Sequence, residues 1–247
     1  MAIHIKKLGA SRSYRESNGE FLCDGSKLLY DAVNCGAEIT TVLSASSVPF
    51  PLPPETRLVY ASKDLINSVS PLLNAQDIVF VCKKPSFTCF EYNSGTYILL
   101  DYMQDPGNVG SVIRSANALG ISGVILTGSC ADPYNPKTIR ASMGAIFRQK
   151  IVCMGIAGLK ELKENGIRFI GAALDEGCRD VRDVNLKGSI IAIGSEGRGL
   201  SAEVLDLCDE KVTIPIIPEC ESLNAAVSAA IIMWESVRRQ SAIHNVG

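Results

Sequence analysis

Histidine is almost missing from this 247-residue chain: there are two, His4 and His244, each within a few residues of an end. That leaves little room for a Ser-His hydrolase, a histidine-ligated zinc enzyme or a histidine general base in the core, so any proton acceptor is another residue type. Paired cysteines are missing as well. The nine cysteines (Cys23, Cys35, Cys82, Cys89, Cys130, Cys153, Cys178, Cys208, Cys220) are odd in number and form no C-x-x-C pair. They read as reduced, mostly buried thiols, against a disulfide frame and against a metal site. No apolar run approaches the about 18 residues of a membrane span. The opening MAIHIKKLGASRSYRES lacks the apolar core of a secretory signal, so the expectation is a cytoplasmic protein with no membrane association. Charge of either sign is not in excess: the formal net charge is −2, and any contact with nucleic acid has to be local. There is no G-x-x-x-x-G-K-[ST] phosphate loop, and the glycines of GSEGRG do not take the G-x-G-x-x-G spacing, which removes the main support for kinase and nicotinamide readings.

What is present suits a buried core: 47% of residues are hydrophobic, enough for one large or two small domains. Residues 21–84 hold a small α/β pattern of strand FLCD, helix SKLLYDAVNCG, strands ITTVLSA and RLVYAS, helix KDLINSVSPLL and strand DIVFVCKK. The first of these helices is expected to start on an N-cap Ser26, bury Leu28, Leu29, Ala32 and Val33, and stop at Gly36. Between Pro85 and Gly95 periodicity is lost and the stretch reads as a linker, placing a domain boundary near residue 90. From Thr96 strands and helices alternate: YILLDYM, GSVIRSANALG, GVILTG, NPKTIRASMGAIF, KIVCMG, AGLKELKENG, RFIGAAL, SIIAIG, SAEVLDLC, KVTIPI and a long helix from residue 222 to about 239. Such alternation predicts a parallel sheet covered by helices on both faces.

Three polar strings of the second half each follow an apolar strand-like run. They are DPGNVGSVIRSANALG from Asp105, GSEGRGL from Gly194 and IPIIPECESLNAAVSAA from Ile214. In an open parallel sheet the loops at the carboxyl ends of strands form the ligand crevice, so all three can converge on one site. Together they resemble the signature of the SpoU/TrmH group of SPOUT RNA methyltransferases, N-x-G-x-x-x-R, then G-x-E-x-x-G-L, then I-P…S-L-N. The matching residues are Asn108, Gly110 and Arg114; Gly194, Glu196, Gly199 and Leu200; Ile214, Pro215, Ser222, Leu223 and Asn224.

The resemblance implies transfer of a methyl group from S-adenosylmethionine to a ribose 2′-hydroxyl of RNA. It implies a SPOUT catalytic domain over residues 91–247 with a C-terminal trefoil knot, and a homodimer. It also implies that residues 1–90 are a small ribosomal-protein-like α/β domain that binds the RNA substrate, since FLCDGSKLLYDAV is similar to the opening of that domain. Ribosomal RNA is favoured over transfer RNA by the two-domain build. A transfer-RNA enzyme, or a non-catalytic RNA-binding or assembly factor with the same fold, is the alternative.

Asn108, Arg114, Glu196, Ser222 and Asn224 are the expected catalytic set. Arg114 lies six residues after Asn108, and both are expected to look toward the mouth of the sheet. Arginine is normally always protonated, so general base and phosphate clamp both stand as its role. Asn108 also reads as an N-cap, Glu196 as the group that orients the arginine or the ribose, and Ser222 as a cap or a ribose contact. Gly194, Ile214 and Leu223 are the cofactor positions that the resemblance implies, Gly194 because a side chain would block the cofactor. Lys137, Arg140 and Arg148, in a stretch similar to the family pattern R-A-S-x-G-A, form a basic ridge suited to RNA phosphates.

Overall fold

A computed structural model describes residues 1–72, 75–85, 95–175 and 177–241. By contacts the chain divides into two units, Met1–Ser86 with Asp132–Arg148, and Phe87–Ala131 with Gln149–Gly247. The core of the linker reading, residues 86–94, lies outside the described residues, as do Cys89 and His244.

The first unit runs α1 (Ala2–Ala10), α2 (Arg12–Asn18), β1 (Glu20–Asp24), α3 (Ser26–Asn34), β2 (Ile39–Ser44), β3 (Arg57–Tyr60), α4 (Lys63–Val69) and β4 (Ile78–Lys83). Its sheet has the order β1-β4-β2-β3, with β4 antiparallel to both neighbours and β3 parallel to β2. Ile5 and Leu8 of α1 and Ile66 of α4 close one face over Leu22, Leu43, Val79 and Val81. The two opening helices were not foreseen. Ser26 proves to be the first helical residue of α3; the N-cap is Gly25, at φ +112°, and no side chain caps it. Gly36, at φ +67°, does end the helix region as expected.

Residues 132–148 depart from the expected boundary at residue 90, which assigned them to the second domain. Arg15, 2% exposed, sets Nε and a terminal nitrogen 2.7 Å from Asp132 Oδ2 and donates from Nη1 to the Leu8 carbonyl at 2.6 Å. The Phe21 ring stands 4.9 Å from Tyr134 and 6.2 Å from Phe147. A buried ion pair and an aromatic cluster therefore hold this excursion in the first unit, although the chain has already left it in sequence.

The second unit continues with β5 (Tyr97–Asp101), α5 (Pro106–Ala118) and β6 (Gly123–Thr127). After the excursion, whose helix is α6 (Pro136–Ser142), come β7 (Ile151–Cys153), α7 (Ile156–Glu164), β8 (Arg168–Ala172), β9 (Arg179–Asp180), β10 (Ser189–Ile193), α8 (Ala202–Leu205), β11 (Glu210–Thr213) and α9 (Ala225–Ser241). Seven strands form one parallel sheet in the order β7-β6-β5-β10-β8-β11-β9. β5, β6 and β10 are buried at every position, as strands covered on both faces must be. Tyr97, Leu99, Ile190 and Ala192 pack with Leu159 and Leu162 of α7 and Val204 of α8. The alternate residues Ile98, Leu100, Ile191 and Ile193 point the other way, the side where α5 and α9 pack on each other and α9 meets β10.

No disulfide links any of the eight described cysteines, and the expectation that they are mostly buried holds for Cys23, Cys82 and Cys130, while Cys153 and Cys220 are exposed. Burial pushes the Cys130 and Cys208 thiols up to about 11, so both are protonated and poorly nucleophilic at neutral pH. No helix among the described residues is long and apolar enough to cross a membrane.

Candidate functional site

The strand order reverses between β5 and β10, and at such a switch point the loops leaving the carboxyl ends of neighbouring strands open a crevice. The three polar strings are the loops after β5, β10 and β11. In the first, Asp105 is the N-cap of α5, its carboxylate accepting from the Asn108 amide at 2.8 Å, with Pro106 at the first helical position. Asn108 is therefore not the cap, and its side chain is left to reach across the crevice.

The second loop is closed on itself: Ser195 N–H donates to the Gly199 carbonyl at 3.1 Å and Gly199 N–H to the Ser195 carbonyl at 2.9 Å. A Cβ at Gly194 would fall on the Gly199 carbonyl and the Leu200 amide. Glycine is needed there for the hoop to close, an internal reason that stands apart from approach of a cofactor. Below it, Asp101 at the end of β5 is fully buried and its Oδ2 accepts from Ser201 N–H at 2.7 Å, fixing the hoop's exit to the central strand.

The last helix begins at Ala225, three residues later than expected, because Asn224 Oδ1 accepts from the amides of Ala226 at 3.0 Å and Val227 at 3.2 Å. Asn224 is the cap and Ser222 is not. The other end of the Asn224 amide turns inward. Its Nδ2 donates to Asn108 Oδ1 at 3.1 Å and to Glu196 Oε1, which also receives Asn108 Nδ2 at 3.0 Å and the Ala225 amide at 3.3 Å. A carboxylate only accepts, so both asparagines must offer it nitrogen, and this fixes their amide orientations. One carboxylate oxygen thus ties all three loops together, and among the described residues Oε2 makes no hydrogen bond.

Two cavities meet at Glu196. One, of about 310 Å³, is lined by Ile193, Gly194, Ile214, Ser222, Leu223 and Ile232, among others. The other, of about 330 Å³, lies against Tyr102, Met103, Gln104, Asp105 and Asn108; Ser195, Glu196, Arg198 and Ala225 line both. The first is lined by apolar residues such as Ile193, Ile214, Leu223 and Ile232 together with the polar Ser195, Glu196, Thr213 and Ser222, a mixture that suits a nucleoside-bearing ligand such as S-adenosylmethionine.

Arg114 is not brought to this cluster. It is exposed on α5 and lines neither cavity. At about 100° per residue, six residues leave it about 120° round the helix from Asn108, so the expectation that both face the mouth of the sheet fails on geometry. Lys137, Arg140 and Arg148 are exposed in the first unit, where Arg148 Nη1 donates to Cys35 Sγ at 3.3 Å. Two residues at the site were not foreseen. Arg198 makes no hydrogen bond or ion pair among the described residues, and its place in the variable part of G-x-E-x-x-G-L carried no signal. Tyr102 has φ +53°, a conformation that leaves no mark in composition.

Residues 95–234 match the profile of the SpoU rRNA methylase family. The chain is 30% identical over 232 residues to the 23S rRNA (guanosine(2553)-2′-O)-methyltransferase RlmP of Bacillus subtilis, covering 93% of this chain and 92% of that protein. The SpoU methyltransferase AviRb from Streptomyces viridochromogenes, solved in complex with the cofactor AdoMet, superposes with a TM-score of 0.84 at 29% identity over 97% of each chain. An AdoMet-bound rRNA methyltransferase from Sinorhizobium meliloti gives a TM-score of 0.85 at 26% identity, over 96% of this chain and 94% of that one.

Proposed function

The chain belongs to the SpoU rRNA methylase family, and from that premise we propose that it transfers a methyl group from S-adenosylmethionine to a ribose 2′-hydroxyl of ribosomal RNA. The observation that carries the reading is the Asn108–Glu196–Asn224 cluster standing between two cavities. S-adenosylmethionine supplies an electrophilic methyl group, so the chain's work is to hold the accepting oxygen in line and to take up its proton. In this reading Gly194, Ile214 and Leu223 hold the nucleoside end of the donor in the first cavity. Glu196, with Oε1 saturated by three donors, offers Oε2 to the ribose hydroxyl, and Asn108 and Asn224 keep the carboxylate from swinging away. Ser222 lines the donor cavity as a further polar contact. Arg114, exposed and permanently charged, takes the phosphate beside the target ribose.

The first unit belongs to the same reading as the RNA-binding part, with Lys137, Arg140 and Arg148 as its phosphate contacts and residues 132–148 added to the expected residues 1–90. A homodimer is supported by an unpartnered apolar stripe on α9: Val227, Ile231 and Trp234, at the i, i+4, i+7 spacing of one helix face, are 47%, 37% and 56% exposed. The trefoil knot is supported by family membership and by α9 returning onto α5 and β10 after the chain has passed through β11. A cytoplasmic location follows from the substrate.

The test is to incubate the protein with methyl-labelled S-adenosylmethionine and ribosomal RNA from cells lacking the gene, then digest to nucleosides. Label in a 2′-O-methylnucleoside is the expected result; label on a base, or none with donor binding intact, overturns it.

A further inference from the structure

The second cavity has a feature that the proposed reaction does not use. Tyr102, the first residue after β5, sits at φ +53°, in the left-handed region where a bulky residue is a true outlier and where asparagine and glycine are the natural occupants. Its ring packs against the chain at Gly128, where a Cβ would stand 2.6–2.8 Å from ring carbons Cε2, Cδ2 and Cζ, and the residue is 38% exposed. Gly128 itself is at φ +64°, so the support under the ring is also a position that favours glycine. The chain thus accepts a strained backbone and gives up a side chain on the neighbouring strand's loop to place one aromatic ring, partly open, on the wall of the cavity that holds Asn108 and Glu196. Strain of this kind is a reason to look for function.

We propose that Tyr102 is the stacking platform for the base of the nucleotide being methylated. The inference rests on the ribose-methylation reading and adds to it where the base goes. Glu196 and Tyr102 line one cavity, so a ribose seated in it with its 2′-oxygen on Glu196 comes from an unpaired stretch of RNA, and an unstacked base is held by a π surface in place of its neighbours. Among the described residues that line the two cavities, Tyr102 is the only aromatic one. Arg198, a cation without a partner among the described residues, lines the same cavity and adds positive charge beside the RNA strand there. A stacked ring reads no base edge, so choice among bases has to come from elsewhere in the RNA.

The test compares the wild-type protein with Tyr102→Phe and Tyr102→Asn, using ribosomal RNA from cells lacking the gene as the probe. Phenylalanine keeps the π face and should leave the KM for RNA within about twofold. Asparagine suits the backbone better than tyrosine, so it should keep or raise the melting temperature and leave S-adenosylmethionine affinity unchanged, while raising the KM for RNA about tenfold, as loss of one base stack does. The proposal is overturned if the asparagine variant keeps the wild-type KM, if RNA and donor binding fall together with the melting temperature, or if the loss of RNA affinity comes only with dissociation of the oligomer. Wild-type protein that binds the donor and methylates no RNA sinks the ribose-methylation reading itself, a different outcome from a wild-type enzyme indifferent to Tyr102.

Discussion

Gly194 offers the sharpest test at a single position. Alanine there meets backbone on two sides with no flexible neighbour to yield, so Gly194→Ala forces the hoop of residues 194–199 open at about 1–3 kcal/mol of strain. Because the hoop lines both cavities, calorimetry should show S-adenosylmethionine affinity falling about tenfold or more, the factor that each 1.4 kcal/mol represents. Unchanged affinity would show that the hoop is not part of the donor site. The resemblance singled out Gly194 on the ground that a side chain would block the cofactor; the internal reason was not legible, since contact with Gly199 and Leu200 exists only once the loop has closed. Asn108 and Asp105 illustrate the limit further. Both are good caps, and only the structure shows Asp105 taking that role and Asn108 being released to Glu196. Arg114 shows the reverse, a residue singled out by its string that the fold leaves exposed on α5 and outside the lining of both cavities.

Among the elements, the long, strongly patterned ones were readable. The alternation from Thr96 onward appears as β5 through α9, and the all-apolar runs YILL, GVIL and SIIAI are the central strands because a strand covered on both faces has no polar side to show. The short elements were not. β9 has two residues, too few for any period, and α1 and α2 begin in a stretch whose charged residues hide Ile5 and Leu8. α2 matters most through Arg15, whose pairing with Asp132 is buried on both sides. Arg15→Leu leaves that carboxylate buried without its partner and should cost about 3–5 kcal/mol of stability, measured by urea denaturation of the intact chain. A loss under about 1 kcal/mol would mean that the carboxylate finds water and that the pair is not what holds residues 132–148.

For the molecule as a whole, sequence order and contact order disagree at one place, residues 132–148. A boundary drawn on composition at residue 90 follows the chain; the contacts follow the Arg15–Asp132 pair and the Phe21, Tyr134 and Phe147 rings. The result puts Lys137, Arg140 and Arg148 in the first unit. The convergence of three distant loops was legible in advance for a physical reason: in a parallel sheet all carboxyl ends lie along one edge. What was not legible is that a single carboxylate oxygen, Glu196 Oε1, would join them. That cluster is the centre of the account, and the cell offers its most direct test. Ribosomal RNA from cells lacking the gene, from cells restored with the wild-type protein, and from cells restored with Glu196→Ala should be digested and its 2′-O-methylnucleosides counted by mass spectrometry. The account predicts one 2′-O-methylnucleoside that is lost with the gene, regained with the wild-type protein and not regained with Glu196→Ala at equal protein level. Full restoration by Glu196→Ala, or no ribose methylation that depends on the gene, would contradict it.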